Sequence, residues 1–233
     1  MNFLKLRIMM SSLVILPLIA GCAKQTSLDL GGQKIIAPVP PGFTPLGTSA
    51  PKFRAFEERI LPPGVLIEYY LTDHDFHDVL NGHSNSRKRV LSITMSKDMY
   101  GRDFSEENFL GAAYFRKYVE GKTFDAGVAA SNARKKIDAE KQGVSSHPAL
   151  DAKWLGVFID QHDAAGVAST SFTPINGDLT KLLSLSVTVR VKNRFIQLGC
   201  GSVINDDLEI KPFEDMCSQW AQNILKSNPD PAN

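Results

Sequence analysis

The feature that most constrains the fold is a regular alternation near the C-terminal end of the chain. In "LLSLSVTVRV", residues 182–191, apolar side chains occupy one side and mostly polar side chains the other: Leu183, Leu185, Val187, Val189 and Val191 against Ser184, Ser186, Thr188 and Arg190. A period of two with one apolar side is typical of a half-buried antiparallel strand. The dipeptide "KN" follows, and then "RFIQLGCGSVI", in which Ile196, Leu198 and Cys200 share a face. The sequence therefore predicts a β-hairpin here.

Other segments predict a mixture of strands and helices around this hairpin. The expected strands are 34–43 (an edge strand and turn), 64–72, 89–96 and a hairpin over 154–175 that turns at "DAAG". The expected helices are 49–61, a short one at 72–82, then 103–121, 123–143 and 206–227. The last is amphipathic, with an apolar stripe that we assign to the core: Phe213, Met216, Cys217, Trp220, Ile224 and Leu225.

This order of elements predicts a single α+β domain, a mainly antiparallel sheet packed with helices. It resembles the α/β/α sandwich of Mog1 and PsbP-like proteins over most of the chain, in element order rather than in any diagnostic motif. The resemblance implies that helices lie on both faces of the sheet. It also implies a binding or accessory role more than an enzymatic one.

The N-terminus combines a basic start with a short apolar segment. "MNFLKLR" carries Lys5 and Arg7 and no acidic residue, and "IMMSSLVILPLIA" follows at residues 8–20. A membrane-spanning helix needs roughly 20 apolar residues, so this shorter stretch predicts an export signal.

The signal ends in "LIAGC", residues 18–22, which resembles the lipobox of bacterial lipoproteins. Ile19 stands where leucine is commoner, and two small residues separate it from Cys22. The resemblance implies that residues 1–21 are a cleaved signal peptide and that Cys22 receives a diacylglycerol thioether. Ala23 stands where the inner-membrane retention signal of enterobacterial lipoproteins has aspartate. The implied location is the cell envelope, periplasm-facing on the inner leaflet of the outer membrane. A plain secretory signal with an incidental cysteine and an uncleaved anchor stay open as alternatives.

The polar stretch after the cysteine, with its paired glycines, predicts a flexible tether over residues 22–33. The globular domain is then expected at 34–228, with a disordered tail at 229–233. The whole chain has 26 basic and 25 acidic residues. A near-neutral balance gives no reason to expect a nucleic-acid partner.

Two cysteines remain beyond the lipobox, Cys200 and Cys217. In an oxidising compartment two such thiols tend to pair, and both fall on the expected inner faces of a strand and a helix. The sequence favours a disulfide between them. Two buried free thiols, or a catalytic Cys200 within "GCGS", are the alternatives, and no histidine is placed by the sequence to activate that thiol.

The segment "TDHDFHDVLNGH", residues 72–83, is the densest cluster of potential ligands. On a helix, His74, His77 and Asp78 fall on one side at spacings of three and four, a pattern that suits a transition metal. The same residues also suit a solvated connector, with acids at the helix start and Gly82 at its end.

Sequence motifs for phosphate loops, nucleophile elbows, zinc proteases and Cys-x-x-Cys sites are missing from the chain. The expected function is therefore that of a lipid-anchored envelope lipoprotein with a non-enzymatic binding or accessory role. Its expected partners are the membrane, through the lipid, and an envelope protein. No cofactor or catalytic residue is predicted. The alternative is a metal-binding protein or metal-dependent enzyme using His74, His77 and Asp78.

Overall fold

The computed structural model of the 233-residue chain describes residues 24–60, 64–82, 88–96, 99–103, 150–175 and 178–229. The strands in these ranges are β1 Gln25–Asp29, β2 Lys34–Pro38, β3 Phe43–Pro45, β4 Gly64–Thr72, β5 Arg89–Ser96, β6 Leu150–Gln161, β7 Ala164–Ile175, β8 Asp178–Val191 and β9 Arg194–Val203. The α-helices are α1 Pro51–Ile60, α2 Asp73–Leu80 and α3 Ile210–Ser227, and a turn of 3-10 helix at Asp207–Glu209 precedes α3.

One antiparallel sheet with the strand order β3-β4-β5-β9-β8-β7-β6 organises the described residues, and β1 pairs with β2 as a separate hairpin. The predicted β8–β9 hairpin lies inside this sheet. Its turn residues Lys192 and Asn193 have φ of 46° and 57°. Two consecutive left-handed residues make the two-residue turn whose twist matches that of the strands. The β6–β7 turn falls at His162 and Asp163, at the start of the segment that the sequence indicated.

The alternating residues of β8 and β9 face the helix α3. All five apolar residues predicted for the buried side of β8 are at most 2% exposed. The helix buries Phe213, Cys217, Trp220, Ala221 and Ile224 against them, and Met216 and Leu225 pack at the margin. The predicted core stripe is therefore confirmed. Burial of such side chains contributes about 1.5–3 kcal/mol each, which makes this layer the principal core.

A second, smaller cluster lies on the opposite face of the sheet. Successive strand residues point to opposite faces, and Tyr70 and Leu91 belong to the α3 side. Their neighbours pack instead with α1 and α2, in a cluster that contains Tyr69, Leu71, Val90, Leu46, Leu66, Phe53, Phe76 and Val79. Helices therefore cover both faces, and the prediction of an α+β fold built on a mainly antiparallel sheet is confirmed.

The helix α1 is fastened to an irregularity in β4. The register of β4 against β5 shifts between Leu66 and Glu68. There Arg54 Nη2 donates to the carbonyl oxygens of Leu66 and Ile67 at 2.9 and 3.2 Å. Arg54 Nη1 also lies 3.8 Å from the buried carboxylate of Glu68, which accepts from the Gly47 amide. The guanidinium thus satisfies carbonyl groups that the shifted ladder leaves exposed.

The fold begins earlier than the sequence indicated. Residues 25–29, expected as part of a tether, form β1 and pair with β2 from Gln25–Pro38 to Asp29–Lys34. Leu28 and Leu30 are 5% and 0% exposed. The paired glycines make the hairpin turn, because Gly31 and Gly32 have φ of 67° and 87°, a region that favours glycine. Two buried leucines therefore turn a polar segment into a strand.

A buried arginine holds this hairpin against a distant segment. Arg194, at the start of β9, is 6% exposed. Its Nε donates to the Leu30 carbonyl at 3.1 Å, and Nη1 donates to the Arg102 carbonyl at 2.9 Å. Nη1 also pairs with the Asp103 carboxylate. Because a guanidinium carries five donors in a fixed fork, one side chain connects three stretches of chain.

The C-terminal end of α3 is hydrogen-bonded to the β1–β2 hairpin. Asn228, the residue after the helix, is 3% exposed. Its side-chain amide donates to the Ile36 carbonyl at 2.6 Å, and its Oδ1 accepts from the Ile36 amide at 2.8 Å.

Several segments about which the sequence makes a prediction lie outside the described residues. They are Cys22 with the signal segment, His83, the predicted helix at 103–121 beyond its first residue, the predicted helix at 123–143, and the tail at 230–233.

Candidate functional site

The helix α2 is a short connector between β4 and the segment that leads to β5. Thr72 caps it, and its side chain accepts from the Asp75 amide at 3.1 Å. Asp73 and Asp75 lie in the first turn, where the helix dipole favours acids. Thr44 of β3 donates to Asp73 at 2.6 Å. Thr72 and Thr44 therefore hold α2 at its N-terminal end.

The histidine and aspartate side chains of α2 converge in part. His74 Nδ1 lies 3.3 Å from Asp78 Oδ2 and 3.8 Å from Asp75 Oδ1. Together the three residues offer ligand atoms within 4.8 Å of one another. His77, which the helical spacing had suggested as a third ligand, is outside this group, and its ring lies against Phe76 with centroids 6.1 Å apart. The structure thus pairs His74 and Asp78 with Asp75.

Asp75 is the member of this cluster that the sequence reasoning missed. Its side chain is 9% exposed, against 82% for His74 and 41% for Asp78. Its Oδ2 is buried without a hydrogen-bond partner among the described groups, an arrangement that costs free energy. The spacing in the sequence does indicate this burial. Asp75 precedes Val79 by one helical turn, and Val79 packs against the sheet.

Cys200 and Cys217 are joined by a disulfide, with an S–S distance of 2.13 Å. Both are buried, at 2% and 0% exposure, and the bond connects β9 to α3. The geometry is the pairing that the sequence favoured. A sulfur in a disulfide is not a thiolate, so Cys200 in this state offers no nucleophile.

A shallow apolar groove of about 100 Å³ lies between α3 and the chain after β2. Its walls are Pro38–Pro41 on one side and Met216, Gln219, Trp220 and Asn223 of α3 on the other. The Trp220 indole donates to the Pro38 carbonyl at 2.9 Å, which fixes the two walls together. We call this the proline groove. No sequence motif pointed to it, because its walls are far apart in the chain.

A buried phenol packs against Trp220, one of the residues that line the groove. Tyr70 packs edge-on against Trp220, with ring centroids 5.4 Å apart. Burial raises the pKa of Tyr70 well above its ordinary value; the nearby Thr26 hydroxyl offsets part of this rise, and the Glu68 carboxylate adds to it. Tyr70 Oη and Thr26 Oγ1 are both buried, and neither has a hydrogen-bond partner among the described residues. The phenol is therefore held neutral, as packing rather than as an acid or base.

The N-terminal end of the described chain lies beside the proline groove. The Val39 amide donates to the Lys24 carbonyl at 2.8 Å, so Lys24 continues the pairing of β1 with β2. Among the described residues, no helix has the length and hydrophobicity to cross a membrane.

Comparison with known proteins gives a likeness of fold and little more. The chain matches no protein-family model and no curated protein sequence. Among solved structures it is similar to the Ran-binding protein Mog1p of Saccharomyces cerevisiae, at 12% identity and a TM-score of 0.33, over 88% of this chain and 93% of that one. A mutant of protein Mog1 gives the same values. This is a weak likeness at the level of the fold, and it carries no inference about partners.

Proposed function

We propose that this protein is a lipid-anchored lipoprotein of the cell envelope with a non-enzymatic binding or accessory role. The observation that carries the proposal is "LIAGC" at residues 18–22, at the end of a basic and then apolar N-terminal segment. Residues 1–21 are removed, and Cys22 carries the lipid. The domain then faces the periplasm from the inner leaflet of the outer membrane.

Two further observations support this location. The disulfide between Cys200 and Cys217 suits an exported protein, because disulfides persist in oxidising compartments. Loss of Lys5 and Arg7 with the signal changes the formal charge from +1 to −1. A domain so close to neutral gains little from anionic lipids, so the lipid itself holds it. Several acyl chains do this stably, at about 0.8 kcal/mol per buried methylene.

Substitution of Cys22 by serine tests the anchor. The Cys22→Ser protein should incorporate no radiolabelled palmitate, and its signal segment should stay uncleaved. A matched control keeps Cys22 and removes the other two cysteines, Cys200→Ala with Cys217→Ala, and should incorporate palmitate as the native protein does. A Cys22→Ser protein that still runs at mature size in the membrane fraction contradicts the proposal.

The binding role is tested with the anchored protein in its own envelope. Crosslinking followed by purification of the full-length, lipidated chain should yield the same envelope component in repeated experiments, and the Cys22→Ser protein should lose it. A domain that captures no component but turns over substrates in solution contradicts a non-enzymatic role.

A second candidate function is metal binding by His74, Asp75 and Asp78. The observation in its favour is that the three residues offer ligand atoms within 4.8 Å of one another, and that one oxygen of the Asp75 carboxylate is buried without a hydrogen-bond partner among the described groups. Ligands at about 2.1 Å around a tetrahedral zinc lie about 3.4 Å apart, and the His74–Asp78 distance is 3.3 Å. Three protein ligands would leave a position for water, as in catalytic zinc sites.

Metal binding is tested on protein purified without a histidine tag. Zinc should bind at one equivalent, and less tightly as the pH falls, because protons compete for the imidazole. His74→Ala should abolish this binding. His77→Ala, in the same helix but outside the cluster, is the matched control and should leave it intact. If zinc, copper, nickel and iron all bind below stoichiometry and none raises the Tm, this second function is excluded.

A further inference from the structure

The anchor point and the folded domain are much closer together than the sequence indicates. A tether of residues 22–33 would reach roughly 40 Å at 3.3–3.6 Å per residue and would leave the domain free to rotate. In the structure β1 begins at Gln25, and the Val39 amide holds the Lys24 carbonyl at 2.8 Å. Cys22 therefore lies only two positions along the chain from Lys24, which already belongs to the folded hairpin.

Covalent geometry then limits where Cys22 can lie. Two residues span at most about 7 Å, and paired strands lie about 5 Å apart. The Cα of Cys22 is therefore within about 12 Å of the Cα of Val39. Val39 belongs to one wall of the proline groove. A lipid on Cys22 therefore enters the membrane beside that groove.

The rim of the groove is suited to a lipid surface. Pro41 is exposed, and Val39 and Met216 are half-buried, so apolar atoms face outward together with the Gln219 and Asn223 side chains. The groove is shallow and holds about 100 Å³. The groove is too small to enclose an acyl chain. Its rim can instead lie against the boundary between the lipid headgroups and the acyl chains.

We infer that the proline groove and the adjoining start of β1 form a membrane-facing surface, which the short connection to Cys22 holds against phospholipid. This inference rests on the proposed lipidation of Cys22. It gives the anchored domain one orientation: Val39–Pro41 and the start of β1 lie toward the lipid, while the β1–β2 turn and the start of β2 point into the periplasm. The start of β2 lies at the other end of the domain, because the Lys192 side chain of the β8–β9 turn donates to the Lys34 carbonyl. Lys34 is seven residues from Pro41, or roughly 23 Å at about 3.3 Å per residue.

The test measures the depth of labels on the full-length, lipidated protein in phosphatidylcholine vesicles. An environment-sensitive nitrobenzoxadiazole label is placed on Pro41→Cys and, as the matched control, on Lys34→Cys, which is exposed and lies at the start of β2, far from Lys24 on the same hairpin. Gln25→Cys is a second label site at the groove end if the Pro41 protein folds poorly. A further variant of each carries twelve Gly/Ser residues between Ala23 and Lys24.

With spin-labelled phosphatidylcholine in the vesicles, the fluorescence of the Pro41 label should fall about twofold, whereas the Lys34 label should be unchanged. The inserted linker reaches about 20 Å on average and should abolish the quenching while palmitate incorporation continues. Equal quenching at both positions, no quenching at either, or quenching that survives the linker overturns the inference and leaves the proposed function standing. Absence of palmitate from the native-length protein overturns both.

Discussion

Different kinds of interaction hold the helices on the two faces of the sheet. The helix α3 covers its face with five buried side chains and a disulfide to β9. On the other face, α1 and α2 add a small apolar cluster and rely on directed polar contacts, namely Arg54 on the carbonyls of β4 and Thr72 at the start of α2. Apolar burial tolerates small shifts, but hydrogen bonds depend steeply on distance and angle. We therefore expect α3 to determine global stability and α1 with α2 to be the part that opens first.

The largest expected effect comes from Trp220, at the centre of the α3 face. Trp220→Ala removes a side chain that is 2% exposed, its contact with Tyr70 and its bond to Pro38. The free energy of unfolding in urea should fall by about 3–5 kcal/mol. Phe53→Ala makes the matched change on the opposite face, where the ring is half-buried, and should cost less. An equal or larger loss at Phe53 contradicts the difference between the faces.

The disulfide should come next. It closes a separation of 17 residues, for which the chain-entropy estimate is about 3 kcal/mol. Cys200→Ala with Cys217→Ala should lower the free energy of unfolding by about that amount. Reductant should produce the same loss in the native protein and no further loss in the double variant. If reductant destabilises the double variant as well, the bond is not the source of the effect.

Arg54 provides the corresponding test on the polar side. Arg54→Met keeps much of the aliphatic stem and leaves the carbonyls of Leu66 and Ile67 without their donor, so the free energy of unfolding should fall by about 1–3 kcal/mol. Arg54→Lys should not restore it, because an ammonium lacks the planar fork. Glu58→Ala breaks only the exposed pair with Arg54 and should change stability by less than about 0.5 kcal/mol. Full rescue by lysine would show that charge alone suffices.

The smallest effect, and one that depends on pH, is expected at Tyr70. Because burial raises the pKa of this phenol above 10.0, the unfolded chain loses the proton first as the pH rises. The stability contributed by the neutral phenol is present below about pH 10 and is lost between there and the higher pKa of the folded state. Tyr70→Phe should change the free energy of unfolding by less than about 1 kcal/mol near neutrality, since the hydroxyl makes no hydrogen bond within the described part of the chain.

The same variant should also weaken the alkaline decline in stability, measured by urea unfolding from pH 8 to 11. Tyr100→Phe is the control, because Tyr100 is 42% exposed, and its alkaline decline should match that of the native protein. An unchanged decline in Tyr70→Phe would mean that other groups cause it.

The parts of the fold that the sequence predicted are those with a strong local period. The β8–β9 hairpin and α3 were predicted because their apolar residues recur over more than two turns or strand repeats. The strand β1 was missed because it offers only Leu28, with Leu30 just beyond it, among polar residues. The pairing of β1 with β2 is favoured by the burial of both leucines in the core, and this tertiary contact leaves no local pattern in the sequence. Helical spacing indicates His77 as a ligand because it lies on the same side as His74 and Asp78, whereas the burial of Asp75 depends on how α2 packs on the sheet through Val79.

The bond between Asn228 and Ile36 has a consequence for the layout of the chain. Ile36 is three residues from Val39, which pairs with Lys24, so the first and last described parts of the fold lie within roughly 15 Å at about 3.3 Å per strand residue. The two ends of the folded domain are therefore close enough to be joined by a short linker. A short linker from Pro229 to Lys24, with new ends in the exposed turn at Lys192 and Asn193, should give a circular permutant that keeps the fold.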